Sequence, residues 1–187
     1  MSDQLEPDRN AGEIVSLILL SGGMDSVLCL HRYGAKLAVG FDYGQPHLIE
    51  LSYAKKAASF YSVQFDVVSI PAMPKVDDVV FAGRNAVMLS VAAGIAQSRG
   101  LHNVIIGCNF SDAQRFPDCR PEFIKAMNQA LHSAYGVFVH APLLTMTKAQ
   151  IKSEAESING FPKTWTCYSP VNDAPCGECY SCKGLQC

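Results

Sequence analysis

The sequence predicts an α/β fold: an open parallel sheet with helices on both faces, followed by a small cysteine-rich C-terminal segment. Three observations carry that expectation. Short apolar runs rich in branched residues alternate with longer stretches of helical periodicity, the pattern of a parallel sheet covered on both sides. A glycine-rich turn, Ser21-Gly22-Gly23-Met24-Asp25-Ser26, joins the first apolar run to the first helical stretch. Five of the eight cysteines fall in the last 21 residues.

Residues 14–20 read as a fully buried strand, being short and continuously apolar apart from Ser16. Residues 27–33 read as a helix that ends at Gly34, a suitable left-handed stop. Residues 36–42 form a second strand. Residues 47–61 form a second helix, with Leu48, Leu51, Ala54, Ala58 and Tyr61 at helical spacing. Residues 64–70 are a third strand, and residues 71–83 a loop with two prolines. An alanine-rich helix at 85–98 can pack closely on a sheet. A fourth strand at 103–107 leads into a long polar loop at 109–119. A helix at 120–135, a strand at 137–140 and a helix at 147–157 complete the pattern. Residues 1–12 read as a flexible leader, 13–160 as the α/β domain and 161–187 as the cysteine-rich segment. Ligands in such sheets bind beyond the carboxyl ends of the strands. The loops after Leu20, Asp42, Ile70, Gly107 and His140 therefore carry the chemistry.

Composition narrows the class. At 187 residues the chain suits one domain. With 49% hydrophobic and 17% charged residues it is globular rather than disordered. Fifteen Lys and Arg against 17 Asp and Glu leave a net charge of −2, which argues against direct nucleic-acid binding. No apolar run approaches the ~20 residues of a membrane span. No basic region precedes the first apolar run, so a signal peptide is not expected and the cytoplasm is the expected compartment. In that reducing environment clustered cysteines point to metal or catalysis before disulfides.

The turn at 21–26 is built for an anion. Glycines let backbone N–H groups approach closely, and the helix start adds unpaired donors and a positive dipole end. Ser21 and Ser26 can add hydroxyl donors, and Asp25 can hold Mg²⁺ or cap the helix. A plain tight turn with Asp25 or Ser26 as N-cap is the simpler alternative. The second signal is Cys167-x8-Cys176-x2-Cys179-x2-Cys182. Four thiolates so spaced suit a closed structural zinc site, with an iron–sulfur cluster as the alternative. Cys187 is a spare thiol that could substitute for Cys167 or lie free.

The S-G-G-x-D-S string resembles the PP-loop of ATP pyrophosphatases, which adenylate a carbonyl or carboxylate oxygen and release pyrophosphate. Further segments sharpen the likeness: Phe41-Asp42-Tyr43-Gly44-Gln45-Pro46-His47, Gly83-Arg84-Asn85, Gly107-Cys108-Asn109 with Asp112, Pro117-Asp118-Cys119-Arg120-Pro121, and Lys148. Together with the cysteine pattern they resemble the QueC family of 7-cyano-7-deazaguanine synthases, in order from about Leu17 to Cys182. The resemblance implies a Rossmann-like fold of the adenine nucleotide alpha-hydrolase type. It implies conversion of 7-carboxy-7-deazaguanine, ammonia and ATP to the nitrile, for queuosine and related deazaguanines. The alternatives are a PP-loop tRNA-modifying enzyme of the thiolation type, or a QueC-like enzyme acting on another carboxylate.

The resemblance also assigns residues. Leu20, Ser21, Gly22, Gly23, Met24, Asp25, Ser26, Val27, Leu28, Cys29 and Leu30 would form the ATP site with Mg²⁺. Asp25, Lys148 and Arg120 would be catalytic, since cations must meet the charge that grows on pyrophosphate. Tyr43, Gln45, Arg84, Asn85, Asp112, Asp118 and Arg120 would meet the substrate. Tyr43 or Phe110 could stack on a purine ring. Cys167, Cys176, Cys179 and Cys182 would hold Zn²⁺. Small molecules are the expected partners, with no membrane and no nucleic acid, in a homodimer. Each assignment has a plainer reading. Arg120 could pair with Glu122, Lys148 could be a surface charge, and Asp118 could cap the helix at Pro121. Cys119 is expected to be a buried small residue, and His47 and His140 helix-start and strand-end residues.

Overall fold

The structure, a computed structural model, describes residues 16–70 and 83–184. The predicted leader, the first two positions of the predicted first strand, most of the proline-containing loop and Cys187 lie outside the described residues. The elements in chain order are β1 (Ser16–Leu19), α1 (Met24–Tyr33), β2 (Leu37–Asp42), α2 (Glu50–Phe60), β3 (Gln64–Ser69), α3 (Arg84–Ser98) and β4 (Asn103–Ile105). There follow α4 (Phe110–Arg115), a 3₁₀ turn at Pro117–Cys119, α5 (Pro121–Tyr135), β5 (Phe138–His140), α6 (Lys148–Ser157) and α7 (Tyr180–Gly184).

The five strands are parallel in the order β3-β2-β1-β4-β5. Leu17 in β1 pairs with Leu37 of β2 on one side and Val104 of β4 on the other. Strand alternation then divides the core. Leu17 and Leu19 pack with α3 and α5, through Leu89, Ala92, Ala96 and Ile124. Ile18 and Leu20 face the other layer, through Leu28, Ala54, Ala57 and Ile151 of α1, α2 and α6. The strand order reverses between β1 and β4, and the crevice above that point is where such sheets bind ligands.

The predicted strands and long helices are present with shifted ends. α1 begins at Met24 rather than Val27, because Gly23 takes the extended N-cap conformation (φ −75°, ψ 157°). Asp25 therefore sits in the first turn of α1, not at its cap. α2 begins at Glu50, after a turn over residues 47–49. The expected polar loop at 109–119 contains α4 and the 3₁₀ turn. Asn109 caps α4 by accepting the Asp112 N–H at 2.9 Å. Six mostly polar residues show no periodicity, so this helix depends on its cap and on packing.

Gly22 fixes how α2 sits beside the turn. It adopts φ +86°, and a Cβ there would lie 2.3 Å from the Glu50 carbonyl oxygen and 2.6 Å from the Ala54 nitrogen. Neither backbone atom can yield. Gly22→Ala is expected to cost about 3 kcal/mol or more, read as a fall in the urea midpoint. An unchanged midpoint would show that α2 can slide away.

Candidate active site

The turn between β1 and α1 is ordered by its own serines. Ser26 Oγ donates to the Gly23 carbonyl at 2.9 Å, and the two serine hydroxyls meet at 3.2 Å. The Gly23 N–H donates to Ser21 Oγ at 3.2 Å. Across the reversal in strand order, Gly107 lies so close that a Cβ would stand 3.0 Å from the Ser26 nitrogen. The start of α1 thus faces a cavity of about 170 Å³ whose floor includes Leu20, Ser21 and Gly107.

A charged cluster forms one wall. Lys148, the first residue of α6, pairs with Asp25 Oδ2 although 123 positions separate them. Asn109 Nδ2 donates to the same oxygen at 3.3 Å and to Asp112 Oδ2 at 2.7 Å. Asp25 Oδ1 is buried with no hydrogen-bond partner among the described residues. Burial, and then the neighbouring Asp25 charge, push the Asp112 carboxyl up to about 6, against the pull of Lys148. The carboxylate form of Asp112 therefore opposes folding at neutral pH. Asp112→Asn is expected to raise the thermal midpoint by a few degrees at pH 7. The gain should shrink as pH falls through 6 towards the unfolded carboxylate range, because the native carboxyl is then neutral as well. A midpoint that drops at pH 7 would mean that the carboxylate is net stabilising.

Aromatic and basic groups also line the cavity. Arg84, at the start of α3, donates to the Tyr43 hydroxyl at 3.1 Å. Burial opposes the charge of Arg84, but Tyr43, Tyr168 and Glu50 outweigh it and hold the guanidinium above its ordinary value. Burial pushes Glu50 up to about 7, against a hydrogen bond from Gln45 and the charge of Arg84. Burial and Arg84 press His47 down to about 4, so its ring is neutral at pH 7. Its Nδ1 lies 3.2 Å from the Tyr168 carbonyl, which only an N–H can satisfy.

Of the residues expected at the site, Leu20, Ser21, Gly23, Met24, Asp25, Ser26, Tyr43, Arg84, Asn85, Asp112 and Lys148 line this cavity. Val27, Leu28, Cys29 and Leu30 are buried in the core behind it, where burial raises the Cys29 thiol far above its usual range. Gly22 packs against α2 instead. Arg120 is exposed, donates from Nε to the Ala113 carbonyl at 3.3 Å and does not line the cavity. Asp118 is spent on structure: it accepts the Asn85 N–H at 3.1 Å and so caps α3 rather than the helix at Pro121. Asn85 Nδ2 returns a bond to the Asp118 carbonyl at 3.0 Å. Gln45 lies behind the wall, bonded to Phe41, Tyr43 and Glu50. Phe110 is exposed, and Cys119 is buried at the cavity edge. Sequence reasoning missed Glu50 and Tyr168, whose residue types carry no signal without their long-range neighbours.

The cysteine segment is stitched to this site. The Trp165 N–H donates to the Gly22 carbonyl at 2.9 Å, and its indole N–H to the Cys167 carbonyl at 2.8 Å. Cys167, Cys176, Cys179 and Cys182 place their sulfurs within 4.8 Å of one another and could hold a metal ion. The Cys176, Cys179 and Cys182 N–H groups each point at the sulfur of the preceding cysteine of the four, at 3.2, 3.3 and 3.4 Å. Burial works against ionising Cys179, but N–H groups of Cys182 and Tyr168 bring its thiol down to about 6.

The family model described as queuosine biosynthesis protein QueC matches residues 15–81 and 73–185. The chain belongs to the QueC family. The two matched pieces overlap at residues 73–81, between β3 and α3 in the sequence. The 7-cyano-7-deazaguanine synthase of Clostridium acetobutylicum is 33% identical over 199 residues, covering 90% of each chain. That of Porphyromonas gingivalis is 34% identical over 195 residues, covering 89% of this chain and 88% of the relative. Among solved structures, the U34-tRNA thiolase NcsA of Methanococcus maripaludis, solved with its [4Fe-4S] cluster, shares the fold. Its TM-score is 0.64 at 16% identity, over 90% of this chain and 64% of that one. The NH3-dependent NAD synthetase of Campylobacter jejuni superposes with a TM-score of 0.51 at 15% identity, over 79% of this QueC chain and 65% of the synthetase. The QueC chain thus shares its parallel α/β sheet fold with both. No described helix is long and apolar enough to cross a membrane.

Proposed function

We propose that this QueC-family chain is a 7-cyano-7-deazaguanine synthase, the name its relatives carry. The observation that carries the reading is one cavity lined by a phosphate-type turn, the Lys148–Asp25 pair and a set of aromatic and basic groups. In this reading the serines and N–H groups of residues 21–26 hold the phosphates of ATP. The carboxylate oxygen of 7-carboxy-7-deazaguanine attacks the α-phosphorus, and pyrophosphate leaves as Lys148 meets its charge. Ammonia adds at the acyl carbon, loses a proton and expels AMP to give the amide. The amide oxygen attacks the α-phosphorus of a second ATP, and a second pyrophosphate leaves. Loss of AMP and the remaining amide protons leaves the nitrile.

Mg²⁺ fits the residues present: Asp25 Oδ1 is buried without a partner among the described residues, and Asp112 is adjacent. Those two carboxylates would hold it, and it would neutralise phosphate charge. Zn²⁺ suits the four cysteines. Zn–S bonds of about 2.3 Å make a tetrahedron with edges of about 3.8 Å. Sulfurs that all lie within 4.8 Å suit that arrangement. An iron–sulfur cube interposes several atoms and spreads its thiolates further apart. The same reading includes a cytoplasmic homodimer, which sedimentation of the purified chain would check.

The test is incubation with 7-carboxy-7-deazaguanine, ATP, Mg²⁺ and ammonium, with products followed by mass spectrometry. The nitrile, AMP and pyrophosphate are expected, together with one zinc per chain by elemental analysis. AMP formed only with another carboxylate would discard this substrate, and bound iron would discard zinc.

A further inference from the structure

Glu50 is a half-buried carboxylate that the adenylation chemistry leaves unused. It lines the cavity with only 13% of its side chain exposed. Gln45 holds it in place. The amide Nε2 donates to Glu50 Oε1 at 3.1 Å and to the Phe41 carbonyl at 2.9 Å. The amide oxygen accepts the Tyr43 N–H at 2.9 Å. His47 Nε2 lies 3.6 Å from the same carboxylate oxygen, but its ring is neutral and its one N–H is committed to Tyr168. Arg84 is near enough to be felt, yet its described bond goes to Tyr43. Glu50 Oε2 has no hydrogen-bond partner among the described residues. That oxygen is not sealed from the cavity, so a carboxylate held in one rotamer keeps acceptor capacity that the donors of a ligand can take up. The aromatic rings of Tyr43, Phe41 and Tyr168 also line this cavity, so a flat heterocycle would find stacking partners beside that carboxylate.

We propose that Glu50 reads the base edge of the acid substrate, accepting the ring N–H and the adjacent exocyclic amino N–H of its 2-amino-4-oxo heterocycle. The inference rests on the synthase reading and names the residue that recognises that substrate. The donor pattern decides between the two flat ligands. A carboxylate offers acceptors side by side and needs two neighbouring donors. A guanine-type edge has two, whereas adenine presents one donor beside one acceptor. The other carboxylates do not compete for the task. Asp25 and Asp112 belong to the lysine and asparagine cluster, and Asp118 caps α3. Gln45 is then a positioning residue that acts through Glu50.

Steady-state kinetics with two acids would test this: 7-carboxy-7-deazaguanine and its analogue lacking the 2-amino group. The wild type should discriminate between them by roughly 100-fold in kcat/KM, since a site built for donors is left unpaired by the analogue. Glu50→Gln should raise the KM for the natural acid roughly 100-fold, leave the KM for ATP within about twofold, and narrow the discrimination to under about fivefold. A raised KM for ATP with an unchanged KM for the acid would overturn the proposal in favour of adenine. Unchanged values for both would overturn it while leaving the synthase reading intact. Wild-type discrimination below about threefold would overturn it without any variant. Failure of the wild type to use the acid at all would remove the synthase reading and this inference with it.

Discussion

Lys148→Ala is expected to slow adenylate formation by roughly 100- to 1000-fold, the usual loss when one preorganised group facing developing charge is removed. Among the described residues, Lys148 is the only lysine or arginine in the cavity lining besides Arg84, and it alone forms an ion pair with Asp25. The fold should survive. Alanine is a good helix former at the start of α6, and the capping box of Thr147 and Gln150 remains. The backbone N–H of residue 148 can still reach Ser111 Oγ at 3.1 Å. What changes is the charge balance. Lys148 draws the Asp112 carboxyl down against burial and Asp25, so without it that carboxyl should titrate above its present value of about 6. The acid limb of the pH–rate profile of residual activity should therefore move to higher pH. Pyrophosphate release under single-turnover conditions checks the rate, and the pH profile separates loss of charge from loss of fold. A variant within about tenfold of the wild type would place the pyrophosphate elsewhere.

That pair shows what a sequence can disclose. Asp25 and Lys148 were each marked by residue type and by position after a strand, and parallel strand order obliges those positions to converge. The five strands, their helices and the four-cysteine pattern follow from periodicity and spacing alone. Contacts that depend on a distant partner do not. Asp118 looks like any acidic residue near a cavity until α3 places the Asn85 N–H at 3.1 Å. Arg120 looks like a phosphate ligand until the turn before α5 leaves it exposed beside the Ala113 carbonyl. Gln45 and Glu50 exchange roles for the same reason: the return of α2 after Pro46 puts the carboxylate in the cavity and the amide behind it. Asn109 was marked only as part of a motif, without a role, because that role, capping α4 and bridging Asp25 to Asp112, belongs to a helix too short to show a period.

Removal of the metal is expected to disable the enzyme from outside the catalytic cluster. From Phe161 onward, Trp165 and Cys167 are the only buried residues among those described. A segment with so little apolar burial has little core to hold its shape, and a metal on its four close cysteines would supply that order. Yet this segment forms part of the site. Trp165 bonds the Gly22 carbonyl in the turn between β1 and α1, and the Tyr168 carbonyl receives the His47 N–H beside Glu50. Both tethers flank Cys167. Chelation, or Cys179→Ser, should therefore release the segment while the sheet and its helices stay folded. Trp165 is the chain's single tryptophan and is 6% exposed, so it reports on this region alone. Its emission should shift to the red on metal loss, with far-UV circular dichroism nearly unchanged. ATP affinity should fall roughly tenfold and turnover roughly 100-fold, the scale seen when groups that orient a site are lost. Re-addition of zinc should restore emission and turnover together. Emission that stays fixed while the metal leaves would mean that the tethers hold without it, and the cysteine site would then have no part in shaping the cavity.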